Sequence, residues 1–384
     1  MAPLPRRQFP VADHLCYLNH AGIAPLPRGA VEAMVLDAED SMRRGSLSED
    51  DRQDQMERVR IAAARLMGVE ASDVAFVKNT TEGLAFVANG LDWKPGDRVV
   101  VPDLEFPSTV YPWLELADRR GVTLDVLEPV GPGAALPLER FESALIDGAG
   151  RVRVVALSWV QFSRGWRTNL AALAWLCHDH GALLCADVIQ GLGVIPTHLA
   201  AWGVDFAMAD AHKWLLGPEG IGVLYVARTA RDRLRVSEPG WASVAHRMEW
   251  ENLELVYDDS ARRYEGGTYN LVGVAGMGAS LDLLTEAGVE AVWTYVDGLC
   301  DALCDGLTDS GATVLSDRSP DGRSAVVTAQ LAGVDPALAV ERLQAGGIVV
   351  SPRGGGIRVS PHAWNTAEDI GRFLAALPGL TTAS

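Results

Sequence analysis

Two periodicities of hydrophobic and polar positions take turns along this chain. Residues 28–67 carry apolar positions at helical spacing, interrupted at Gly45. Val74–Lys78 reads as a short apolar strand and Thr80–Asn89 as a helix that opens on a Thr-Thr-Glu cap. Arg98–Val101 reads as a strand and Thr109–Arg120 as a helix; Val152–Ser158 is again a strand, and Asn169–His180 a helix stopped by Gly181. Ala182–Ala186, Phe206–Ala209 and Gly222–Val226 complete the strand-like runs. Strands alternating with helices predict an α/β fold with a mostly parallel sheet covered on both faces. Ligands of such a sheet gather at the carboxyl ends of its strands.

The texture changes near residue 265. Gly273–Ala287 and Val289–Ser310 read as helices, Ser324–Ala329 and Ile348–Val350 as strands, and Thr366–Leu377 as a last helix. The expected organisation is therefore an N-terminal segment, 1–20, packing on a smaller α+β domain, 265–384, with a large domain at 21–264 between them.

Composition narrows the function classes. The chain has 384 residues, enough for two domains, and a net charge of −17 that argues against nucleic acid or an anionic membrane as partner. No apolar run is long enough to span a bilayer, and the first residues lack the apolar core of a signal peptide. The five cysteines sit in apolar or helical surroundings. These features predict a cytoplasmic protein with reduced thiols.

The most informative cluster follows the run Val204–Ala209. Lys213 stands between His212 and Trp214, with Gly217-Pro218-Glu219-Gly220 close behind. A lysine in apolar surroundings loses preference for its charged form, and only the neutral amine forms a Schiff base. Asp187, after the run Ala182–Ala186, is placed to pair with a protonated ring nitrogen, as pyridoxal 5'-phosphate (PLP) requires to act as an electron sink. Gln190 is a candidate donor to the ring's phenolic oxygen. Lys78–Gly83 joins a strand to a helix and offers backbone N–H groups and hydroxyls to a phosphate, with His212 as a second donor. Phe106, in Glu105-Phe106-Pro107-Ser108, is a candidate for stacking on a ring face. Cys177-His178-Asp179-His180 with Cys185 has a zinc-like look, but helix-end histidines and a strand cysteine account for it, so no metal is expected.

These motifs, taken together, resemble the class V aminotransferase family of PLP enzymes, which includes cysteine desulfurases, isopenicillin N epimerase-like enzymes, kynureninases and C–S lyases. The matching stretches are NHAG at 19–22, NTTEG at 79–83, FPS at 106–108, ADVIQG at 186–191, HKWLLGPEG at 212–220, GGTYN at 266–270 and the segment of Arg353 and Arg358. The resemblance implies the type I, aspartate aminotransferase-like fold. It matches Lys213 to the Schiff-base lysine, Asp187 to the partner of the pyridine nitrogen and Gln190 to the phenolic-oxygen donor. Thr80, Thr81 and His212 match phosphate or ring contacts, and Phe106 the stacking ring. Asp210 stands where several relatives have a phosphate-binding serine. Thr268 matches a residue that reaches the cofactor of the partner subunit, which implies a homodimer. Arg358 matches the arginine that holds the substrate α-carboxylate; Asn19, His20, Ala21, Gln161 and Arg353 would lie on the substrate side. Phe162 replaces an asparagine of desulfurases.

The expected reaction begins at the Cα of an amino acid. The desulfurase loop carries a sulfur-accepting cysteine, whereas the corresponding stretch here, VVSPRGGGIRVS, has none. This favours a β-eliminating C–S lyase on a cysteine-derived substrate. Transamination and epimerisation are the alternatives; a non-catalytic α/β binding protein would show no cofactor absorbance. Trp159, Trp166, Trp214 and Trp241 are candidates for the walls of an apolar substrate pocket.

Overall fold

The computed structural model describes residues 2–131 and 133–381. Thirteen strands follow in chain order: β1 (Cys16–Tyr17), β2 (Val74–Val77), β3 (Arg98–Pro102), β4 (Thr123–Leu127), β5 (Val152–Ser158), β6 (Leu183–Asp187), β7 (Phe206–Asp210), β8 (Gly222–Val226), β9 (Thr313–Val314), β10 (Val327–Gln330), β11 (Ile348–Val349), β12 (Ser351–Arg353) and β13 (Gly356–Val359). Seven of them form one sheet in the order β2-β8-β7-β6-β5-β3-β4, in which β8 alone runs against the rest. The central strands are buried along nearly their whole length, which explains why their sequences are continuous apolar runs rather than alternating ones. The α/β class and the mostly parallel large sheet expected from the sequence are what the chain forms.

Helices Thr80–Gly90, Pro107–Arg120 and Leu170–Asp179 follow β2, β3 and β5. The first is capped by Asn79, whose side chain accepts the Glu82 N–H. It packs closely on β7, where a Cβ on Gly83 would stand 2.8 Å from Met208 Cβ. The periodic stretch 28–67 divides into Arg28–Arg44 and Glu49–Met67, as Gly45, at φ +56°, breaks the helix.

A second sheet, β12-β13-β10-β9, is antiparallel throughout. It lies with helices Val289–Asp309, Pro336–Ala345 and Ala367–Ala376. Near the chain's start, β1 pairs in parallel with β11, and Asn19 bridges to Ser360. Arg6 clasps Asp369 through two hydrogen bonds of 2.6 and 3.1 Å. The N-terminal segment is thus tied to the C-terminal strands, which brings residues 19–23 beside 351–358. Among the described residues, no helix is long and apolar enough to cross a membrane.

Candidate active site

The carboxyl ends of β5, β6 and β7 open onto a cavity of about 520 Å³, where their last residues, Ser158, Asp187 and Asp210, all lie on its wall. Residues from both sheets and from the N-terminal segment complete the lining, so the cavity sits where the two parts of the chain meet.

Lys213 enters from the connection between β7 and β8. That connection is stiffened by its own backbone: Ala211 donates to Ile221 O, Gly217 to Ala211 O and Leu216 to Lys213 O. Leu216 adopts φ +58°, a conformation costly for a leucine and one that the surrounding bonds hold in place. The Lys213 amine is buried, and its Nζ lies 5.5 Å from the centre of the Phe106 ring. Burial lowers its pKa from 10.5 to about 8, against the upward pull of Asp187.

Asp187 is buried at the end of β6. One oxygen accepts the Ile189 N–H at 2.9 Å; among the described residues the other has only the Thr109 hydroxyl at 3.4 Å. Burial raises its pKa to about 6. A buried, under-bonded carboxylate on a cavity wall is suited to a cationic N–H partner. Gln190 also lines the cavity; its Nε2 donates to Ala21 O and its Oε1 accepts the Trp214 indole N–H, both at 3.0 Å.

Thr80 and Asp210 join the helix start to β7 by reciprocal bonds of 3.1 Å: Thr80 N–H to Asp210 Oδ1, and Asp210 N–H to Thr80 Oγ1. The second Asp210 oxygen lies 3.5 Å from His212 Nδ1. Burial, with Asp187 nearby, raises the Asp210 pKa to about 7, and burial lowers that of His212 to about 4. Asp210 therefore turns toward the helix start and the histidine, and it occupies a donor that the phosphate seat would otherwise offer. Thr81 is off the cavity wall and donates to Ser108 Oγ at 2.8 Å; Ser108 lines the cavity.

Arg358 projects from β13. Its Nη1 donates to Phe162 O at 2.7 Å and its Nη2 to Asn19 Oδ1 at 3.2 Å, while Nε has no acceptor among the described residues. The side chain is buried, and no carboxylate stands within ion-pair distance of it among the described residues. Burial lowers its pKa to about 10, with Arg353 adding to the effect. An uncompensated buried guanidinium is costly in an empty site and favourable once an anion arrives. Asn19, Ala21 and Arg353 share the cavity wall with it.

Some residues named from the sequence lie elsewhere. His20 is off the cavity wall: it is buried against Trp364 and His362, with Nδ1 2.9 Å from Ser360 O. Gln161 is also off it, because its amide organises a turn, accepting Ser163 N–H and Arg164 N–H and donating to Leu104 O. Thr268 lies in a separate cavity of about 400 Å³ beside Lys78, Glu82 and Asn270. Among the described residues, no tryptophan lines the site cavity. Trp214 and Trp159 are core residues, the latter packed so tightly on Gly191 that a Cβ there would fall 2.4 Å from the ring. The aromatic wall is instead Tyr17, Phe106 and Phe162, the two phenylalanines meeting edge to face at 5.5 Å.

The sequence reading passed over Glu105, although an acid directly before the FPS motif marks it. Its carboxylate is buried and grips both the backbone N–H and the hydroxyl of Ser158; burial raises its pKa to about 7. Tyr17, Ile23 and Ser351 also line the cavity, with no local signal in the sequence.

The donor set fits PLP. A desolvated amine, an under-bonded buried carboxylate, an aromatic ring and a helix start surround one cavity, groups that the aldehyde, ring nitrogen, ring face and phosphate of PLP would complement. The comparisons agree. A family model described as aminotransferase class V matches residues 16–373. A probable cysteine desulfurase of Methanothermobacter thermautotrophicus is 28% identical, with 98% of each chain covered. A cysteine desulfurase of Salmonella newport is 30% identical over 76% of this chain and 73% of its own length. Among solved structures, the cystine C–S lyase C-DES, in complex with its reaction product cysteine persulfide, is similar at a TM-score of 0.89 and 24% identity, covering 97% of this chain and 100% of that one.

Proposed function

Because the chain belongs to the class V aminotransferase family of PLP-dependent enzymes, of the cysteine desulfurase and C–S lyase kind, we propose that it is a β-eliminating C–S lyase for S-substituted cysteines and that it keeps no sulfur on the protein. The observation that carries this reading is the placement of the thiols. None of Cys16, Cys177, Cys185, Cys300 and Cys304 is on the cavity wall, and burial pushes every one of their pKa values up, from about 11 for Cys304 to about 12 or higher for the rest. A buried, protonated thiol is a poor nucleophile, so none is suited to accept sulfur. The similarity to a cystine C–S lyase supports the same reading.

Bound PLP supplies the electron sink for the carbanion at the substrate Cα. Arg358 receives the α-carboxylate, its guanidinium already steadied by Phe162 O and Asn19. Lys213, once its amine is free, takes the Cα proton, which its lowered pKa suits near neutral pH. Asp187, the under-bonded carboxylate on the cavity wall, would hold the proton on the ring nitrogen. The Cβ–S bond then breaks with its electron pair on sulfur, and the leaving thiolate takes up a proton. The remaining enamine hydrolyses to pyruvate and ammonia. The chain is further read as a homodimer in which Thr268 reaches the partner subunit's cofactor.

Incubation with S-alkyl cysteines and with cystine tests this. Pyruvate and soluble thiol or persulfide should appear in equal amounts, with the mass of the intact protein unchanged. Sulfur added to the protein, or conversion of the cofactor to its amine form with a matching keto acid, would overturn it.

A further inference from the structure

Trp214 is buried beside Lys213 in sequence, yet it takes no part in the chemistry described above. Its indole N–H meets Gln190 Oε1 at 3.0 Å. An indole nitrogen is a donor only, so it accepts no bond from an amide and must face the oxygen of Gln190 rather than its nitrogen. Together with Ala21 O, which can only accept from Nε2, this fixes which way round the amide lies, a point that shape alone leaves open. Nε2 then has two hydrogens to place. One goes to Ala21 O at 3.0 Å, and the other remains on a side chain that lines the cavity.

We propose that Trp214 is a positioning residue: its N–H locks the Gln190 amide so that an N–H, never the carbonyl oxygen, is presented to the phenolic oxygen of the cofactor. The proposal rests on the PLP reading of this cavity and on Gln190 as the phenolic-oxygen donor. His362 packs against the same residue, at both its backbone and its ring. His362 Nε2 lies 3.2 Å from Trp214 O, and its ring lies 5.5 Å from the indole. Burial lowers the His362 pKa to about 4, so this support carries no charge near neutral pH. A donor to the phenolic oxygen stabilises its anionic form and lowers the pH at which the lysine-linked chromophore loses its proton. Without the indole, Ala21 O alone would orient the amide, and a loosened amide would present its second N–H to the phenolic oxygen for only part of the time.

The test uses holoenzyme of the parent, Gln190→Ala, Trp214→Phe and the double variant, titrated with pH while the visible cofactor band is followed. Gln190→Ala and Trp214→Phe should each raise the midpoint, by up to roughly one pH unit, the shift that one hydrogen bond to a charged oxygen carries. The double variant should match Gln190→Ala alone, because the indole acts only through the amide. If Trp214→Phe fails to fold, 3-benzothienylalanine placed at 214 replaces the indole N–H by sulfur at nearly constant shape and serves in its stead. A midpoint moved by Gln190→Ala but not by the position-214 variants overturns the proposal while leaving Gln190's role intact. A midpoint that Gln190→Ala leaves in place overturns both. A parent with no visible band at all would instead bring down the PLP reading beneath them.

Discussion

Replacing Lys213 by methionine should stabilise the cofactor-free protein, and the size of the gain follows from the site. The amine titrates at 10.5 when free and at about 8 in the folded chain, chiefly because it is buried. Below pH 8 both states hold the proton, and folding must place a cation where it is poorly solvated. The difference of about 2.5 in pKa corresponds to about 3.4 kcal/mol at about 1.36 kcal/mol per unit. Between pH 8 and 10.5 the unfolded chain binds more protons than the folded one, so the parent gains stability as pH rises, whereas the methionine variant lacks this term. The assay is urea unfolding of both apoproteins at several pH values from 8 to 10.5. Asp187 and Asp210 titrate near 6 and 7 in the parent, below that window, and groups remote from Lys213 cancel in the difference. The variant's advantage should shrink by about 3 kcal/mol across the window. An advantage independent of pH would refute the claim that the lysine is desolvated, and with it the account of how Lys213 becomes a base near neutral pH.

Asp210→Asn keeps an oxygen for the Thr80 N–H while removing a charge from the helix start proposed to seat the phosphate. The Asp210 carboxylate is ionised above its pKa of about 7 and neutral below it, so the variant should bind PLP several-fold more tightly than the parent at pH 8.5 and about equally at pH 6, as read by absorbance titration. Arg358→Lys cannot meet Phe162 O and Asn19 Oδ1 and also offer a fork to a carboxylate, so kcat/KM for the amino-acid substrate should drop about 10–100-fold, mostly through KM. Arg60→Met should cost about 3–5 kcal/mol in chemical denaturation, because it strands the buried Glu265 carboxylate; replacing both residues by methionine should recover much of that loss.

Much of the cavity's lining was legible in the sequence because several of its polar residues are local to strand ends. Asp187, Asp210 and Lys213 follow apolar runs, and a run that long and that apolar has to be a buried strand whose end opens onto the ligand side. What failed to show were directions and long-range neighbours. His20 and Asn19 are adjacent in the NHAG motif, but Asn19 forms a bridge to Ser360, while His20 opens the turn closed by the Gly22 N–H on Asn19 O. Asn19 therefore reaches the cavity and His20 the core. Gln161 reads as a polar group near the substrate, yet its carbonyl oxygen is claimed by two backbone N–H groups of the turn that follows. The strand β4 escaped because it is an edge, half exposed and without a continuous apolar run.

By itself, the order of apolar and polar residues determined the α/β class, the strands that carry Asp187 and Asp210, and the desolvated lysine, because burial of a strand is written in its own residues. The tertiary structure decided which of the remaining polar groups meet. Arg358 comes to Asn19 across 339 positions only because β1 pairs with β11 and Asn19 bridges to Ser360. Trp214 lies buried with its indole N–H on Gln190 Oε1, a pairing across 24 positions. Such pairings depend on how separate elements pack and on where each donor finds an acceptor, and no local pattern of residues encodes that.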